Sequence, residues 1–247
     1  MTLIAAHRGG ADIWPENSRT AFLGAAALPV DFVEFDVHVS ADGRLVVHHD
    51  ATLDRMTDRK GAIMDMAWAD IAQAVIKGTA ADRPLLLDEV IEIFRPTAID
   101  LRLEIKLNAR LDPYPGIEAK VAAALQAAGM LERTLISAFS LDALARFRAA
   151  AEPGRETIWL INPVTLRHIG GIESALKLAA AFGVPEIAPR SPDLSAAMVA
   201  AAKAASVRIG AYAVNDAPTI ERMLDLGLVA FTSDRPDLAL AARRARA

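Results

Sequence analysis

Residues 32–49 read FVEFDVHVSADGRLVVHH. The first six, Phe32 to Val37, are a short apolar run interrupted only by Glu34 and Asp36. Successive side chains of a strand alternate faces, so these two carboxylates share one side, and Val33, Phe35 and Val37 share the other. Asp42-Gly43 then supplies a tight turn, and Leu45, Val46 and Val47 come straight back, which predicts a hairpin over residues 43–49. Acids on an otherwise apolar strand are costly to bury unless a cation meets them.

Outward from this stretch the same grammar repeats. Short apolar runs occur at Leu3 to Ala6, Ile99 to Ile105, Thr134 to Ala138, Thr157 to Ile161, Glu186 to Ala188, Val207 to Val214 and Leu228 to Thr232. With Phe32 to Val37 they make eight candidate strands. Helical segments separate them: Asn17 is placed to cap a helix through Leu28, and Ile117, Val121, Ala124 and Leu125 share a helix face. Ser140 precedes Leu141, Leu144 and Phe147, while Asp216 with Pro218 opens a helix that closes at Gly227. The alanine-rich runs 121–128 and 196–205 keep apolar spacing in the best helix-forming residue and read as helices. Eight strand-helix units in 247 residues favour an α/β fold closed into a TIM (β/α)8 barrel over an open doubly wound sheet. We read residues 1–247 as one domain. The stretch from about 54 to 83 is a small capping insertion after the second strand, glycine-punctuated and too long for a simple turn.

Composition narrows the function. At 53% hydrophobic and 23% charged residues the chain has ample material for a large core. A net charge of −4 supplies no basic field for nucleic acid or anionic membrane. The absence of cysteine removes disulfides, thiolate metal sites and cysteine nucleophiles together. Met1 to Arg8 does not open a signal peptide, and no uncharged run approaches the ~20 residues of a membrane span. The expectation is a cytoplasmic protein with a small-molecule substrate, no nucleic-acid partner and no integral membrane association; a homo-oligomer is left open.

Barrel active sites gather at the C-terminal ends of the strands. Glu34 and Asp36 lie late in the second strand, and Glu104 with Lys106 late in the third, so three carboxylates and one ammonium approach a common centre. An all-oxygen donor set suits a hard ion such as Mg²⁺, Ca²⁺ or Mn²⁺. A buried ion pair between Glu104 and Lys106, or between Glu34 and an arginine, is the competing reading. His7 and Arg8 end the first strand before Gly9 and Gly10, which permit a sharp turn and close ligand approach. His48, His49 and Asp50 follow the hairpin; only one of the two histidines faces the site, and spacing alone does not say which. Asp50 is placed to orient an imidazole. His38 and His168 have no matching context and read as surface or structural residues. Arg55 and Thr57 serve either an oxyanion or a turn.

Taken in order, His7-Arg8-Gly9, Pro15-Glu16-Asn17, Glu34-Phe35-Asp36-Val37 and His49-Asp50 with Leu53, Arg55, Thr57 and Gly61 resemble the glycerophosphodiester phosphodiesterase family. The likeness continues through Leu86 to Val90, Leu103 to Lys106, Ile136 to Phe139, Val214-Asn215 and Ser233 to Pro236. Each fragment is weak alone, and the ordered set is specific. The resemblance implies a TIM barrel and a divalent-metal-dependent hydrolysis of glycerophosphodiesters to sn-glycerol 3-phosphate and an alcohol. It makes His7 and His49 the general acid/base pair, selecting His49 over His48. It makes Glu34, Asp36 and Glu104 the metal ligands, places Arg8 and Lys106 on the phosphate, and has Glu16 and Asn17 order the first loop or bind substrate. Tyr212 stands where a tryptophan is more typical, in the region expected to shape the alcohol pocket, and the ending Ala230 to Asp234 also departs from the usual pattern. The alternatives are a lysophospholipase D-type enzyme, with an apolar channel near Ile63, Met64, Met66 and Trp68, and a non-catalytic phosphate-binding barrel.

Overall fold

A computed structural model describes residues 1–151 and 155–246. Every predicted barrel strand forms: β1 (Leu3–His7), β2 (Phe32–Val39), β5 (Asp100–Ile105), β6 (Thr134–Ala138), β7 (Thr157–Ile161), β8 (Glu186–Pro189), β9 (Arg208–Ile209) and β10 (Ala230–Ser233). β3 (Leu45–Val47) folds back antiparallel on β2, as the Asp42-Gly43 turn predicts, and a short β4 (Leu85–Leu86), not anticipated, extends that hairpin. The other neighbours run parallel in the order β10-β1-β2-β5-β6-β7-β8-β9.

The sheet closes between β9 and β10. Only two residues of the predicted run Val207 to Val214 are regular strand, because the chain there passes into single bridges. Closure rests on backbone bonds: Ala211 donates to the Ala230 carbonyl at 3.1 Å and Val229 donates to that of Ile209 at 3.1 Å. Gly210 permits this approach, since a Cβ there would lie 2.8 Å from the Ala230 carbonyl oxygen.

The α-helices among the described residues are α1 (Arg19–Ala26), α2 (Trp68–Ile71), α3 (Leu87–Phe94), α4 (Ile117–Ala127), α5 (Leu141–Ala150), α6 (Pro163–His168), α7 (Ile172–Ala181), α8 (Ala196–Ala204), α9 (Ala217–Asp225) and α10 (Pro236–Arg244). Outward-facing strand residues pack beneath them. Phe35 of β2 meets Phe22 of α1 edge to face at 5.9 Å, and Phe22 meets Phe94 of α3 in the same way. Such pairs add to the burial of each ring. The cap of α1 corrects the sequence reading: Ser18, not Asn17, accepts the Ala21 amide, and the helix ends at Ala26 rather than Leu28. The insertion after the hairpin is less polar inside than its composition suggests. Leu53, Ile63, Ile71 and Ala74 bury against Val46 and Leu86 in a cluster of their own, with Met66 and Trp68 packed on it. Among the described residues no helix is long and apolar enough to cross a membrane.

Candidate active site

Strand register assembles the centre. β1 and β2 set His7 beside Glu34, while β2 and β5 set Glu34 beside Arg102 and Asp36 beside Glu104. Residues paired in register project to the same face of a sheet. Glu34, Asp36 and Glu104 therefore converge, with one oxygen of each within 4.8 Å of the others, and all three are buried. Beneath them Arg102 reaches Glu186 of β8 at 3.2 Å, a buried ion pair that floors the barrel.

Two cations flank the acids. Lys106, just past β5, places Nζ 2.9 Å from Glu104 Oε1 and 3.3 Å from Asp36 Oδ1. Arg8 holds Nε 3.5 Å from Asp36 Oδ2 and pairs with Glu16 at 3.0 Å. The ion pair offered as an alternative for Glu104 and Lys106 thus exists, inside the carboxylate cluster rather than in place of it. Arg8 and Asn17 both adopt left-handed backbone, with φ of 49° and 53°. Asn17 donates its backbone amide to the Arg8 carbonyl and its side-chain amide to Asp36 Oδ2 at 3.1 Å, which closes the β1–α1 loop over the acids. Non-glycine residues in this conformation are strained, and such strain collects where surroundings hold a functional geometry.

The acids divide electrostatically. Burial pushes Asp36 upward, but Lys106 and then Arg8 outweigh it and hold the carboxyl well below the usual range. Glu34 goes the other way: burial and the neighbouring Asp36 push it up to about 7. Three buried carboxylates with two flanking cations form a donor set short of positive charge at Glu34. Hard oxygen donors gathered in this way fit a divalent ion such as Mg²⁺, Ca²⁺ or Mn²⁺.

The histidines stand on either side. His7 Nδ1 is 2.5 Å from Asp234 Oδ1, and Asn215 donates to the other oxygen of Asp234. Nε2 thereby turns toward Glu34, 3.8 Å away. Burial lowers the His7 pKa, yet Glu34 and the Asp234 hydrogen bond prevail and leave it raised. His49 Nδ1 is 2.6 Å from Asp50 Oδ1, and Arg55 locks Asp50 while bridging to Glu16 with two hydrogen bonds of 2.7 and 2.8 Å. Each imidazole is oriented by a carboxylate that is itself held and that accepts from Nδ1–H, which leaves Nε2 of each ring available for proton transfer. Asp234 and Asn215 appear in the sequence as fragments near two strand ends; nothing local assigns them to His7.

His48 is buried and lines neither cavity, whereas His49 lines both, so His49 is the one on the site. Thr57 takes the turn role, donating Oγ1 to the Leu53 carbonyl at 2.9 Å, and Arg55 is engaged by carboxylates. His168 is exposed, whereas His38 is structural and buried: Nε2 lies 3.0 Å from the His49 carbonyl and Nδ1 3.0 Å from the Tyr114 hydroxyl. Burial takes His38 down to about 4.

Two cavities meet here. The smaller, about 230 Å³, is lined by His7, Arg8, Glu34, Ser137 and Thr232. The larger, about 490 Å³, is walled by Leu107, Leu111, Pro113, Ile117 and Ala143. His49, Glu104, Lys106 and Phe139 border both. Of the residues expected to line an apolar channel, Ile63, Met66 and Trp68 pack the insertion down on its own cluster and Met64 packs on the main core; none of the four lines either cavity.

The Glycerophosphoryl diester phosphodiesterase family model matches residues 7–238. A glycerophosphodiester phosphodiesterase of Bacillus altitudinis is 32% identical over 249 residues, covering 98% of each chain. One from Caldanaerobacter subterraneus subsp. tengcongensis is 30% identical, covering 96% of this chain and 95% of its own. The crystal structure of a candidate glycerophosphoryl diester phosphodiesterase from Agrobacterium tumefaciens is 37% identical with a TM-score of 0.96, covering 100% of this chain and 98% of that one.

Proposed function

The chain belongs to the glycerophosphoryl diester phosphodiesterase family and is an enzyme of that class, and on that premise we propose that it hydrolyses glycerophosphodiesters to sn-glycerol 3-phosphate and an alcohol, with metal dependence and two histidines as proton carriers. The observation that carries the reading is the pair of carboxylate-oriented imidazoles, His7 and His49, on the rim of a cavity that also holds three acids and two cations.

A phosphodiester repels nucleophiles because it is an anion, so positive charge must bind it and meet the charge that develops at the transition state. Arg8 and Lys106 supply fixed positive charge. Glu34, Asp36 and Glu104 would hold the divalent ion, which when bound adds Lewis-acid stabilisation of the phosphoryl oxygens. One histidine takes the proton from the attacking hydroxyl as the new P–O bond forms; the other delivers a proton to the departing alcohol oxygen as the old P–O bond breaks. Glu16 and Asn17 order the loop that carries Arg8.

The test is release of sn-glycerol 3-phosphate from glycerophosphocholine with Mg²⁺, Ca²⁺ or Mn²⁺ and with EDTA. His7→Ala and His49→Ala should each lose at least about 10²-fold in kcat, the scale of one proton-transfer role. Their fold and metal affinity should stay nearly unchanged. Near-normal turnover in either variant, or full activity after chelation, would overturn the mechanism.

A second reading is favoured by the larger cavity: a lysophospholipase D-type activity, in which apolar walls accept a fatty substituent. Release of choline from lysophosphatidylcholine, run beside glycerophosphocholine, separates the two.

A further inference from the structure

We infer that His38 is a positioning residue that acts with Tyr114 as a clamp on the backbone of His49. The inference rests on the reading of His49 as a proton carrier, and its basis is the hydrogen-bond arrangement around one buried ring.

Residues 34, 36 and 38 of β2 share a face by the strand period. The first two enter the carboxylate cluster, and the third is 1% exposed. The ladder between β2 and β3 ends at the Val37–Val47 pair, followed by one bond from the His48 amide to the Asp36 carbonyl at 3.1 Å. His49 thus lies two residues beyond β3 and one beyond the last cross-strand bond, where backbone position is no longer set by strand pairing. His38 replaces the missing ladder with a side chain, Nε2 to the His49 carbonyl at 3.0 Å.

A carbonyl oxygen only accepts, so Nε2 carries the hydrogen. In the neutral ring Nδ1 is then an acceptor, and the Tyr114 hydroxyl, 3.0 Å away, donates to it. The two bonds permit one tautomer and one ring orientation. The Tyr114 ring also meets His38 edge to face at 5.7 Å. Tyr114 is itself buried, on the segment between β5 and α4 that the Leu107–Pro113 bridge folds against the larger cavity. His49 is accordingly held from two directions, its ring by Asp50 and its backbone by His38. The wall of the larger cavity and a proton carrier are tied together through one imidazole. A displacement of about 1 Å at a reacting group costs on the order of 10²-fold in rate, which sets the scale of what the clamp protects.

The experiment compares His38→Leu, His38→Gln, Tyr114→Phe and the His38→Leu/Tyr114→Phe double variant in the full chain with saturating divalent ion, beside His49→Ala. Leucine removes the donor; glutamine restores an N–H that reaches the His49 carbonyl. His38→Leu should lower kcat by about 10- to 100-fold with KM within about threefold. His38→Gln should recover to within about fivefold of the wild type, and Tyr114→Phe should lower kcat by about two- to tenfold. In the double variant the tyrosine change should add less than about twofold, because Tyr114 acts through His38. Metal affinity measured by calorimetry should stay within about threefold throughout, since the acids are untouched.

Equal losses in the leucine and glutamine variants would reduce His38 to a space-filler and overturn the clamp. A fully multiplicative effect in the double variant, or kcat within about twofold of wild type in His38→Leu, would overturn it too. Should His38→Leu fail to fold, Tyr114→Phe decides: unchanged kcat overturns the proposal and a drop with unchanged metal affinity supports it. An active His49→Ala variant would instead defeat the proton-carrier reading itself, while an inactive one beside a normal His38→Leu defeats the clamp alone.

Discussion

Glu34 is the residue on which the electrical state of the site turns. Its carboxyl is pushed up to about 7 from an ordinary 4.5 by burial and by Asp36. A raised value means that the folded state binds the proton more tightly than the unfolded chain. The resulting stability is fully present below the unfolded value and is lost as pH rises through about 7. His7 is also raised and contributes with the same sign above 6.5, whereas His38 and His48, lowered by burial, oppose it only below about that pH. In EDTA the melting temperature should therefore fall between pH 6.5 and 8 by a few degrees, about 2–4 °C for each kcal/mol in a chain of this size. Glu34→Gln should remove much of that slope, and a saturating divalent ion should flatten it by favouring the ionised carboxylate. Identical slopes for wild type and Glu34→Gln would refute the assignment. Strand alternation makes Glu34, Asp36 and Glu104 legible in the sequence, because period two fixes which side chains share a face. The supports are not legible: Asp234 meets His7 across 227 residues and Tyr114 meets His38 across 76, and no local periodicity encodes such pairings.

At the scale of elements, hydrophobic runs and caps locate the strands well, while closure depends on contacts that runs do not specify. The segment from Val207 to Val214 looks like one strand because alternating apolar residues bury wherever the chain follows the barrel wall, yet only Arg208–Ile209 is regular. Asn17 and Ser18 are equally good caps by type. The left-handed turn at Asn17 sends its side chain to Asp36 and leaves Ser18 to accept the Ala21 amide, a choice made by the tertiary site. Gly210 marks the seam. A methyl group there would sit 2.8 Å from the Ala230 carbonyl oxygen and 3.2 Å from Glu186 Oε1, and the first of these is backbone that cannot swing aside. Gly210→Ala should lower unfolding free energy by about 1–3 kcal/mol, the range for overpacking a close-packed site, measured as a shifted urea midpoint at unchanged slope. An unaltered midpoint would mean that β9 and β10 close with more room than these distances allow.

Across the whole molecule the net charge of −4 offers no general attraction for an anionic substrate, so recognition has to be local. Arg8 and Lys106 are the cations at the mouth, both paired with the acids there, and the two cavities that meet at this point differ in character. The larger one has little free charge to offer a polar alcohol: Glu118 and Arg146 on its wall pair with each other at 2.8 Å. Its apolar rim includes Leu107, Leu111 and Phe139, three of the larger hydrophobic side chains left exposed, with Leu111 at 79%. Exposed apolar side chains grouped on one rim mark a binding surface more often than chance. Leu111→Glu places a charge on that rim without touching the acids or histidines. It should lower kcat/KM for a phosphodiester bearing a fatty arm by about tenfold, the loss of about 1.4 kcal/mol of apolar contact. Glycerophosphocholine should remain within about twofold, because a small polar alcohol gains nothing from the leucine. Steady-state rates on the two substrates read the difference directly. If both fall together, the rim shapes the site without selecting the arm; if neither moves, the alcohol departs by another face of the mouth, and the division of labour between the two cavities is wrong.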